Sequence, residues 1–397
     1  IVTLVSSFAF LVGVGGAPLM SIRLGEKNER AASQILANCF LMLAVLSAVL
    51  TVASLALRET LLWKFGAGEG TFGYAKEYIT IYLMGTVFAL MTTGMNQFII
   101  CQGFAKIGMK SVILGAVTNI VLDPVFIFAL DMGVKGAAIA TVISQVASCT
   151  YALRFLFSDR IPIKITFRGY DWNVMKRVIQ IGMTPFIIIA MDNVLIIALN
   201  TVIQRLGGPG QGDTLLTCTT IVQSFMLVVT MPLGGITSGT QTILGYNYGA
   251  KRPDRIWRAE KWIGGMALCF TTIMFLIAQL VPEIFVRLFT QNEEYIRLSV
   301  WAIRVYTLGV IPLAVQYTIV DGFTGMGISS VAMGLSMWRK TVFLVGVFLI
   351  PRFAGITNVF YTESLSDFLG TVVSVLMFCL VFKRVVGNPH ERKETVA

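Results

Sequence analysis

An acidic residue, an amide and a proline lie close together inside one apolar stretch, residues 111–129. Asp123 is the only ionisable side chain in that stretch, and Asn119 precedes it by four residues, which places both on one face of a helix. Pro124 follows directly and cannot donate the hydrogen bond that the carbonyl of Ile120 would accept in a regular helix. A carboxylate, an amide oxygen and a free carbonyl on one side of a helix could bind a proton or a sodium ion.

The stretch is long enough to cross a bilayer as a helix. A carboxylate near the middle of a membrane costs roughly 2.5–3.5 kcal/mol on insertion scales, so we expect Asp123 to face the protein interior or a water-filled cavity. Acids at this depth are functional by default. The alternative is structural, an Asp that only hydrogen-bonds a neighbouring helix.

The composition is that of a protein with many membrane helices. Of 397 residues, 56% are hydrophobic and 13% charged, and the mean hydropathy is +0.78, whereas a soluble domain carries about 25% charged residues. The net charge of +10 comes from Lys and Arg in short loops between apolar stretches, which indicates the positive-inside pattern. We therefore expect membrane lipid around the chain and no nucleic-acid partner.

The residue types that form catalytic and metal centres are scattered. The six cysteines form no CxxC pair, and the single histidine, His390, lies in the polar C-terminal tail. We therefore expect no disulfide, no resident metal and no cofactor. An intramembrane enzyme would need paired acids, or a nucleophile with its base, at membrane depth, where this sequence offers scattered single acids.

Eleven apolar segments are predicted to be membrane helices. They are residues 1–22, 31–57, 75–103, 109–131, 136–157, 175–205, 214–246, 256–288, 295–324, 328–351 and 358–384. Lys and Arg concentrate in every second loop and in the tail, which predicts that these loops and the C-terminus are cytoplasmic.

The predicted fold class is an all-α membrane protein with two helix bundles, residues 1–158 and 175–386. Residues 159–174, the longest connection, are predicted to form a cytoplasmic linker, and residues 387–397 a cytoplasmic tail.

The two halves repeat each other at an offset of roughly 220 residues. GGAPLMSIRLG at 15–25 corresponds to GTQTILGYNYG at 239–249, and GFAKIG at 103–108 corresponds to GFTGMG at 322–327. The second half has one more helix before its first motif, so a first helix is expected to be missing from this chain. The complete architecture is then two six-helix bundles related by a pseudo-twofold axis along the membrane normal, with about eleven of twelve helices present.

The motifs of this chain resemble those of the MATE (multidrug and toxic compound extrusion) transporters. GVGGAPLMSIRLGEKNERAA resembles the second-helix signature of the family. MPLGGITSGTQTILGYNYGAKRPDR resembles its eighth-helix signature, with Gln-Thr-Ile at residues 241–243 where the family usually has Gln-Pro-Ile. LGAVTNIVLDPVFIFALDMGVKGAAIATVISQ resembles the fifth and sixth helices of the DinF-like prokaryotic branch. The helix that is missing here would be the first of the family, which usually carries another acid of the cation site.

The resemblance implies roles for four residues. Asn119, Asp123 and Thr141 match the polar cluster that the family associates with cation binding, and Asn96 matches a polar residue of its drug cavity. The repeat counterparts of Asp123 and Thr141 are Val345 and Glu363, so this cluster is expected only in the first half.

Adjacent polar residues inside the helix predicted at 75–103 are a second candidate site. Asn96 and Gln97 lie there, and Gln97 has a repeat counterpart in Gln316, which suggests a substrate cavity lined from both halves. The alternative is that Asn96 and Gln97 form interhelical hydrogen bonds.

One acid of the second half lies in mid-helix. Asp192 follows the kink expected at Pro185, and some family members have an acid with a coupling role in this helix. Two interpretations of Asp192 stay open. The residue has a role in coupling or substrate binding, or it has a structural role in capping or packing. Arg339, Lys340 and Glu363 are predicted to form an intramembrane charge network, for which the structural interpretation is favoured.

The resemblance implies a secondary active antiporter that exports organic, often cationic, compounds in exchange for protons or sodium ions by alternating access. The expected form is a monomer in the inner (plasma) membrane of a prokaryote. A flippase for a lipid-linked saccharide precursor is the alternative within the transporters, and it predicts a more cationic cavity that could hold a pyrophosphate.

Overall fold

A computed structural model describes residues 2–64, 69–208 and 210–386 of the chain. Over these residues the chain is nearly all helical, and eleven helices are long and apolar enough to cross a membrane. The predicted all-α class and the eleven membrane helices are therefore confirmed. The predicted tail, with His390, lies outside the described residues.

The contacts divide the chain into two compact units, Ile1–Phe186 and Ile187–Ala397, which we call unit 1 and unit 2. The division falls inside a helix, one residue after Pro185. The domain boundaries and the pseudo-twofold axis that the repeat suggests stay predictions.

Unit 1 contains five membrane helices and the first part of a sixth. They are α1 (Val2–Gly25), α2 (Glu29–Lys64), α3 (Glu69–Cys101), α4 (Ala105–Pro124), α5 (Gly133–Leu156) and α6 (Trp172–Gly207). Because Pro124 cannot donate a backbone hydrogen bond, the end of α4 is a natural point for irregular backbone, and the chain continues as a π-helical turn, Val125–Ala129.

The segment before α6 packs on unit 1. Ile161, Ile163 and Ile165 are buried in the hydrophobic core of the unit. Gln102, directly after α3, accepts a hydrogen bond from the backbone N–H of Ile163 at 2.9 Å and donates one to its carbonyl at 3.2 Å. The segment predicted as a linker is thus fixed to the helices of unit 1 by side-chain packing and hydrogen bonds.

Unit 2 contains the rest of α6 and the helices that follow. They are α7 (Gln211–Gly239), α8 (Gln241–Gly249), α9 (Pro253–Leu280), α10 (Pro282–Val286), α11 (Glu293–Tyr306), α12 (Val310–Gly325), α13 (Ser329–Ala354), α14 (Tyr361–Met377) and α15 (Lys383–Val386). Short irregular turns, Thr307–Gly309, Ile356–Phe360 and Phe378–Phe382, join or extend these helices.

Several predicted helices of this half are interrupted in the structure, and two of the interruptions lie beside a proline. The helix expected at 256–288 ends at Leu280, because Pro282 begins a separate short helix. The helix expected at 295–324 is broken by the 3₁₀ turn Thr307–Gly309, and Pro312 in the next turn cannot donate a hydrogen bond to the carbonyl of Leu308.

Glycines allow α1 and the first part of α6 to approach closely. A Cβ on Gly182 would overlap the carbonyl group of Leu11, and a Cβ on Gly15 would lie 2.9 Å from the Cα of Gly182. Small residues at such a crossing let two membrane helices pack backbone against backbone. The glycine-rich motif near residue 15 therefore has a packing role in unit 1.

We expect Gly182→Ala to lower the melting temperature of the detergent-purified protein by a few degrees. Alanine gains about 1 kcal/mol of helix propensity over glycine, but overpacking at a closed contact costs about 1–3 kcal/mol. Gly265→Ala is the matched control, because a Cβ at that helical position has no neighbour within 4 Å. Equal melting temperatures for the two variants would contradict the close packing.

Candidate functional site

The structure brings Asn119, Asp123 and Thr141 together in unit 1. The amide nitrogen of Asn119 donates to the Asp123 carboxylate at 3.2 Å and points to the Thr141 hydroxyl oxygen on α5 at 3.5 Å. The Thr141 hydroxyl itself donates to the carbonyl of Ala137 at 2.9 Å. Asn119 thus joins the carboxylate of its own helix to the neighbouring helix, and all three side chains are half-buried.

Asp123 has no positively charged partner among the residues that the structure describes. One of its carboxylate oxygens accepts the hydrogen bond from Asn119, and no described residue donates to the other. Asp123 lies directly before Pro124, and the π-helical turn follows. The backbone of this turn packs tightly against Gly136 of α5, because a Cβ on Gly136 would lie 2.7 Å from the Phe126 carbonyl. An acid without an internal cation, next to irregular backbone, is suited to bind a mobile cation.

Asn96 joins α3 to α4 instead of facing open space. Its amide nitrogen donates to the carbonyl of Gly108 at 3.3 Å, and its amide oxygen accepts a hydrogen bond from Ser111 at 3.3 Å. This is the interhelical arrangement that the sequence left open as the alternative to a substrate role. Gln97, its neighbour, is half-buried and packs near Gly13 of α1.

Asp192 lies in unit 2 and forms an ion pair with Lys340 of α13. The two partners differ in exposure, since the Lys340 side chain is 2% exposed and the Asp192 side chain 49%. Asp192 faces a cavity of about 310 Å³, which we call the large cavity. Much of its wall is apolar, with Leu195, Met226 and Phe343 among the lining residues.

Arg339 forms the centre of a second group of charges in the wall of the large cavity. Its guanidinium donates to the Glu363 carboxylate at 3.1 Å and to the Asp367 carboxylate at 3.0 Å. Tyr306 donates its hydroxyl proton to Glu363 at 3.3 Å. The predicted charge network of Arg339, Lys340 and Glu363 thus forms in unit 2. Sequence reasoning missed Asp367, although it follows Glu363 by four residues and therefore lies on the same helical face.

Gln316 lines a second cavity of about 130 Å³, which we call the small cavity, together with Asp192, Lys340 and Asp321. The Gln316 side chain is buried, and its amide nitrogen donates to the carbonyl of Leu335 at 3.4 Å. Its amide oxygen is buried without a hydrogen-bond partner in the described part of the chain. Gln316 and Asp192, two predicted site residues, therefore lie in the wall of one cavity.

A further pair of acids in unit 2 was missed from the sequence. Asp321 of α12 accepts a hydrogen bond from Gln241 at 2.8 Å, and Glu260 of α9 is buried against Gly322. The sequence contains little indication of a buried acid here, because Glu260 directly follows a stretch rich in charged residues and resembles the surface residues of that stretch.

The family model described as MatE matches residues 1–125 and 189–349, which is most of the chain. The chain belongs to the MATE family. The resemblance found from the sequence motifs is therefore confirmed.

Curated MATE relatives are similar over nearly the whole chain. The multidrug export protein MepA of Staphylococcus aureus (strain MSSA476) is 19% identical over 385 residues, which cover 96% of this chain and 84% of MepA. MepA of Staphylococcus haemolyticus (strain JCSC1435) is 21% identical over 380 residues, which cover 95% of this chain and 82% of that protein.

Solved MATE structures share the fold. An outward-facing multidrug resistance MATE family transporter of the MOP superfamily superposes with a TM-score of 0.91 at 20% identity, covering 96% of this chain and 86% of that one. A MOP superfamily transporter from Pyrococcus furiosus, whose binding pocket is described as having reverse polarity, gives a TM-score of 0.90 at 20% identity, with 97% and 86% covered.

We expect Arg339→Gln to destabilise this MATE protein strongly. Removing the cation leaves the Glu363 and Asp367 carboxylates without a positively charged partner, and breaking a buried ion pair in this way costs about 3–5 kcal/mol. Arg287→Gln is the control, since this exposed arginine, between α10 and α11, pairs with Glu283 and Glu293 at the surface, where a pair contributes about 1 kcal/mol or less. Thermal unfolding in detergent measures both. A wild-type melting temperature for Arg339→Gln would show that the cluster does not need its cation.

Proposed function

We propose that this chain is a secondary active multidrug antiporter that exports organic, often cationic, compounds in exchange for protons or sodium ions by alternating access. Membership of the MATE family and the similarity to proteins described as multidrug exporters support the class of substrate. The observation that supports ion coupling is the arrangement around Asp123, an acid without an internal cation at the end of a proline-terminated helix.

The coupling step would act through the hydrogen bond between Asn119 and Asp123. An ionised Asp123 accepts this bond strongly, because hydrogen bonds to a charged acceptor are about twice as strong as neutral ones. A proton or sodium ion that binds the carboxylate reduces its charge and weakens the bond. The end of α4, which continues as a π-helical turn, is then free to adopt another conformation.

Drug and ion exchange would follow from differential affinity. The ion binds the state in which Asp123 is neutralised, and the drug binds the state in which Asp123 is ionised, so each ligand shifts the equilibrium between the two states. A proton needs only the free oxygen of Asp123, whereas sodium needs several oxygen ligands, for which the Thr141 hydroxyl and the Asn119 amide oxygen, after rotation of the amide, are candidates.

We propose the large and small cavities of unit 2 as contact surfaces for the organic substrate. The apolar wall of the large cavity suits compounds with aromatic or aliphatic parts. Asp192 uses one carboxylate oxygen for Lys340, and the other oxygen, which accepts no hydrogen bond from a described residue, suits a cationic group. Gln316 would contribute a polar contact in the small cavity. Asn96 and Gln97 stay proposed substrate contacts of unit 1, although Asn96 would first have to release Gly108 and Ser111.

The charges of these cavities favour an exporter of organic compounds over the alternative, a flippase for a lipid-linked saccharide precursor. A pyrophosphate would need cations that are free to bind it. Arg339 and Lys340 are the cations in the described cavity walls, and both are paired with carboxylates. We further propose a monomer in the inner membrane of a prokaryote, with the loops rich in Lys and Arg and the C-terminus in the cytoplasm.

We expect Asp123→Asn to reduce ion-driven drug efflux by roughly tenfold or more, which corresponds to the loss of about 1.4 kcal/mol of coupling free energy. The measurement is drug efflux from proteoliposomes under an imposed proton gradient and, separately, an imposed sodium gradient. Asp131→Asn is the control, because Asp131 is an exposed acid eight residues further along the chain. Unchanged efflux in Asp123→Asn under both gradients would remove Asp123 from the mechanism.

We expect Asn119→Leu to lower the proton concentration needed for half-maximal proton-driven efflux more than Thr141→Val does, because the hydrogen bond that is lost stabilises the ionised form of Asp123. Asn119 donates directly to the Asp123 carboxylate at 3.2 Å, whereas Thr141 is only in weak contact with Asn119 at 3.5 Å. Thr118→Val is the control, since the Thr118 hydroxyl bonds only to the carbonyl of Leu114 in its own helix. The reverse order of the two effects would show that Asn119 does not organise the site.

A further inference from the structure

The charges around the large cavity of unit 2 do not balance. Its ion pairs contain two cations, Arg339 and Lys340, and three carboxylates, Asp192, Glu363 and Asp367. Lys340 is paired with Asp192, so Arg339 has to serve both Glu363 and Asp367. With every group ionised, this cluster carries one negative charge that no described residue compensates.

The two carboxylates compete for one guanidinium group. Glu363 and Asp367 are four residues apart on α14, and both accept a hydrogen bond from the same nitrogen atom of Arg339. The side chains are 14% and 0% exposed, so water supplies little compensation to either. Two adjacent buried carboxylates beside one cation repel each other, and a single proton removes both the repulsion and the excess charge.

One oxygen of Asp367 has no hydrogen-bond partner. Its Oδ2 atom is buried, and it lies close to the 3₁₀ turn between α11 and α12, where a Cβ on Gly309 would be 3.0 Å away. An ionised carboxylate oxygen in that position would be left without solvation, which is costly in a protein interior. A protonated carboxyl group carries no net charge at this oxygen and removes most of that cost.

The neighbouring helices supply no further positive charge. From α11 the Tyr306 hydroxyl donates to Glu363, and α12 contributes Tyr317 and Gln316, whose buried amide oxygen also lacks a partner. On the remaining side lie Arg339, Lys340 and Asp192, which are already counted. In the described walls of both cavities no other lysine, arginine or histidine is present.

The pair has a route to the large cavity. Glu363 lines that cavity together with Tyr306 and Arg339, and Asp367 lies behind it, bound to the same arginine. A proton from water in the cavity can therefore bind Glu363 first and redistribute within the pair. A metal ion is less suited to this place, because the guanidinium already occupies an oxygen of each acid and sodium needs several oxygen ligands.

We propose that Glu363 and Asp367 form a second proton-binding site, in unit 2, which takes up one proton from the large cavity. One O–H bond forms on one of the two carboxylates, and the other carboxylate keeps Arg339 as its counter-ion. This inference rests on the proposed antiport, to which it adds one proton beyond the cation bound at Asp123.

Infrared difference spectroscopy of the full chain in lipid vesicles, recorded over a pH titration in the presence and absence of sodium, tests the proposal. The readout is the C=O stretching band of protonated carboxyl groups, which needs no transported drug. We expect Glu363→Gln and Asp367→Asn each to lose one band that Asp123→Asn retains. Glu293→Gln, which changes an exposed acid at the start of α11, is the control and should keep the band of the Glu363–Asp367 pair.

The variants separate the possible outcomes. If the band assigned to the Glu363–Asp367 pair survives in both Glu363→Gln and Asp367→Asn, or disappears when sodium replaces protons, the second proton site is wrong. Wild-type melting temperatures show that the variants are folded, and Glu363→Gln preserves an acceptor for Tyr306 and Arg339. Efflux by Asp123→Asn tests the proposed antiport separately, because the band of the Glu363–Asp367 pair is recorded without transport.

Efflux measurements give a second readout. We expect Glu363→Gln to export with one proton fewer per drug molecule than the wild type, measured as the pH gradient that just balances a known drug gradient in proteoliposomes. An unchanged proton count in this variant would contradict uptake of a transported proton at the pair.

Discussion

A charge buried in a low-dielectric region needs a partner, and this requirement explains where the ionisable residues of the chain lie. In unit 2, Asp192 has Lys340, and Glu363 and Asp367 share Arg339. In unit 1, Asp123 has only a neutral amide beside it. These three acids of unit 2 thus receive most of their positive charge from the protein itself. Asp123 has to obtain its positive charge from outside, which is why the proposed coupling ion is assigned to this residue.

The polar groups lie where the helices are irregular. Asp123 lies two residues before the start of the π-helical turn Val125–Ala129, and Asp367 lies against the 3₁₀ turn Thr307–Gly309. At membrane depth, irregular backbone is tolerated where it is buried in protein or lines a cavity, and the same places offer space and free backbone groups for a ligand. The prolines that follow or lie near these residues are therefore part of the sites, since they prevent a continuous helix.

The similarity to solved MATE structures fixes the fold but not the roles of individual residues. At 20% identity most side chains differ, while a TM-score of 0.91 shows that the backbone arrangement is retained. A fold of this kind can serve different substrates through different side chains. The roles proposed for Asp123, Glu363 and Asp367 therefore rest on the contacts that these residues make in this chain.

The eleven membrane helices, the family and the common helical face of Asn119 and Asp123 could be predicted from the amino-acid sequence, because the length of an apolar stretch and a spacing of four residues are local properties. Which side chains meet across helices could not be predicted in this way and became visible only in the folded protein. Lys340 pairs with Asp192, an acid 148 residues away in the chain, and Asn96 donates a hydrogen bond to Gly108 of α4. No periodicity encodes such contacts, since they depend on how helices distant in sequence pack and on which buried charges are left to be compensated.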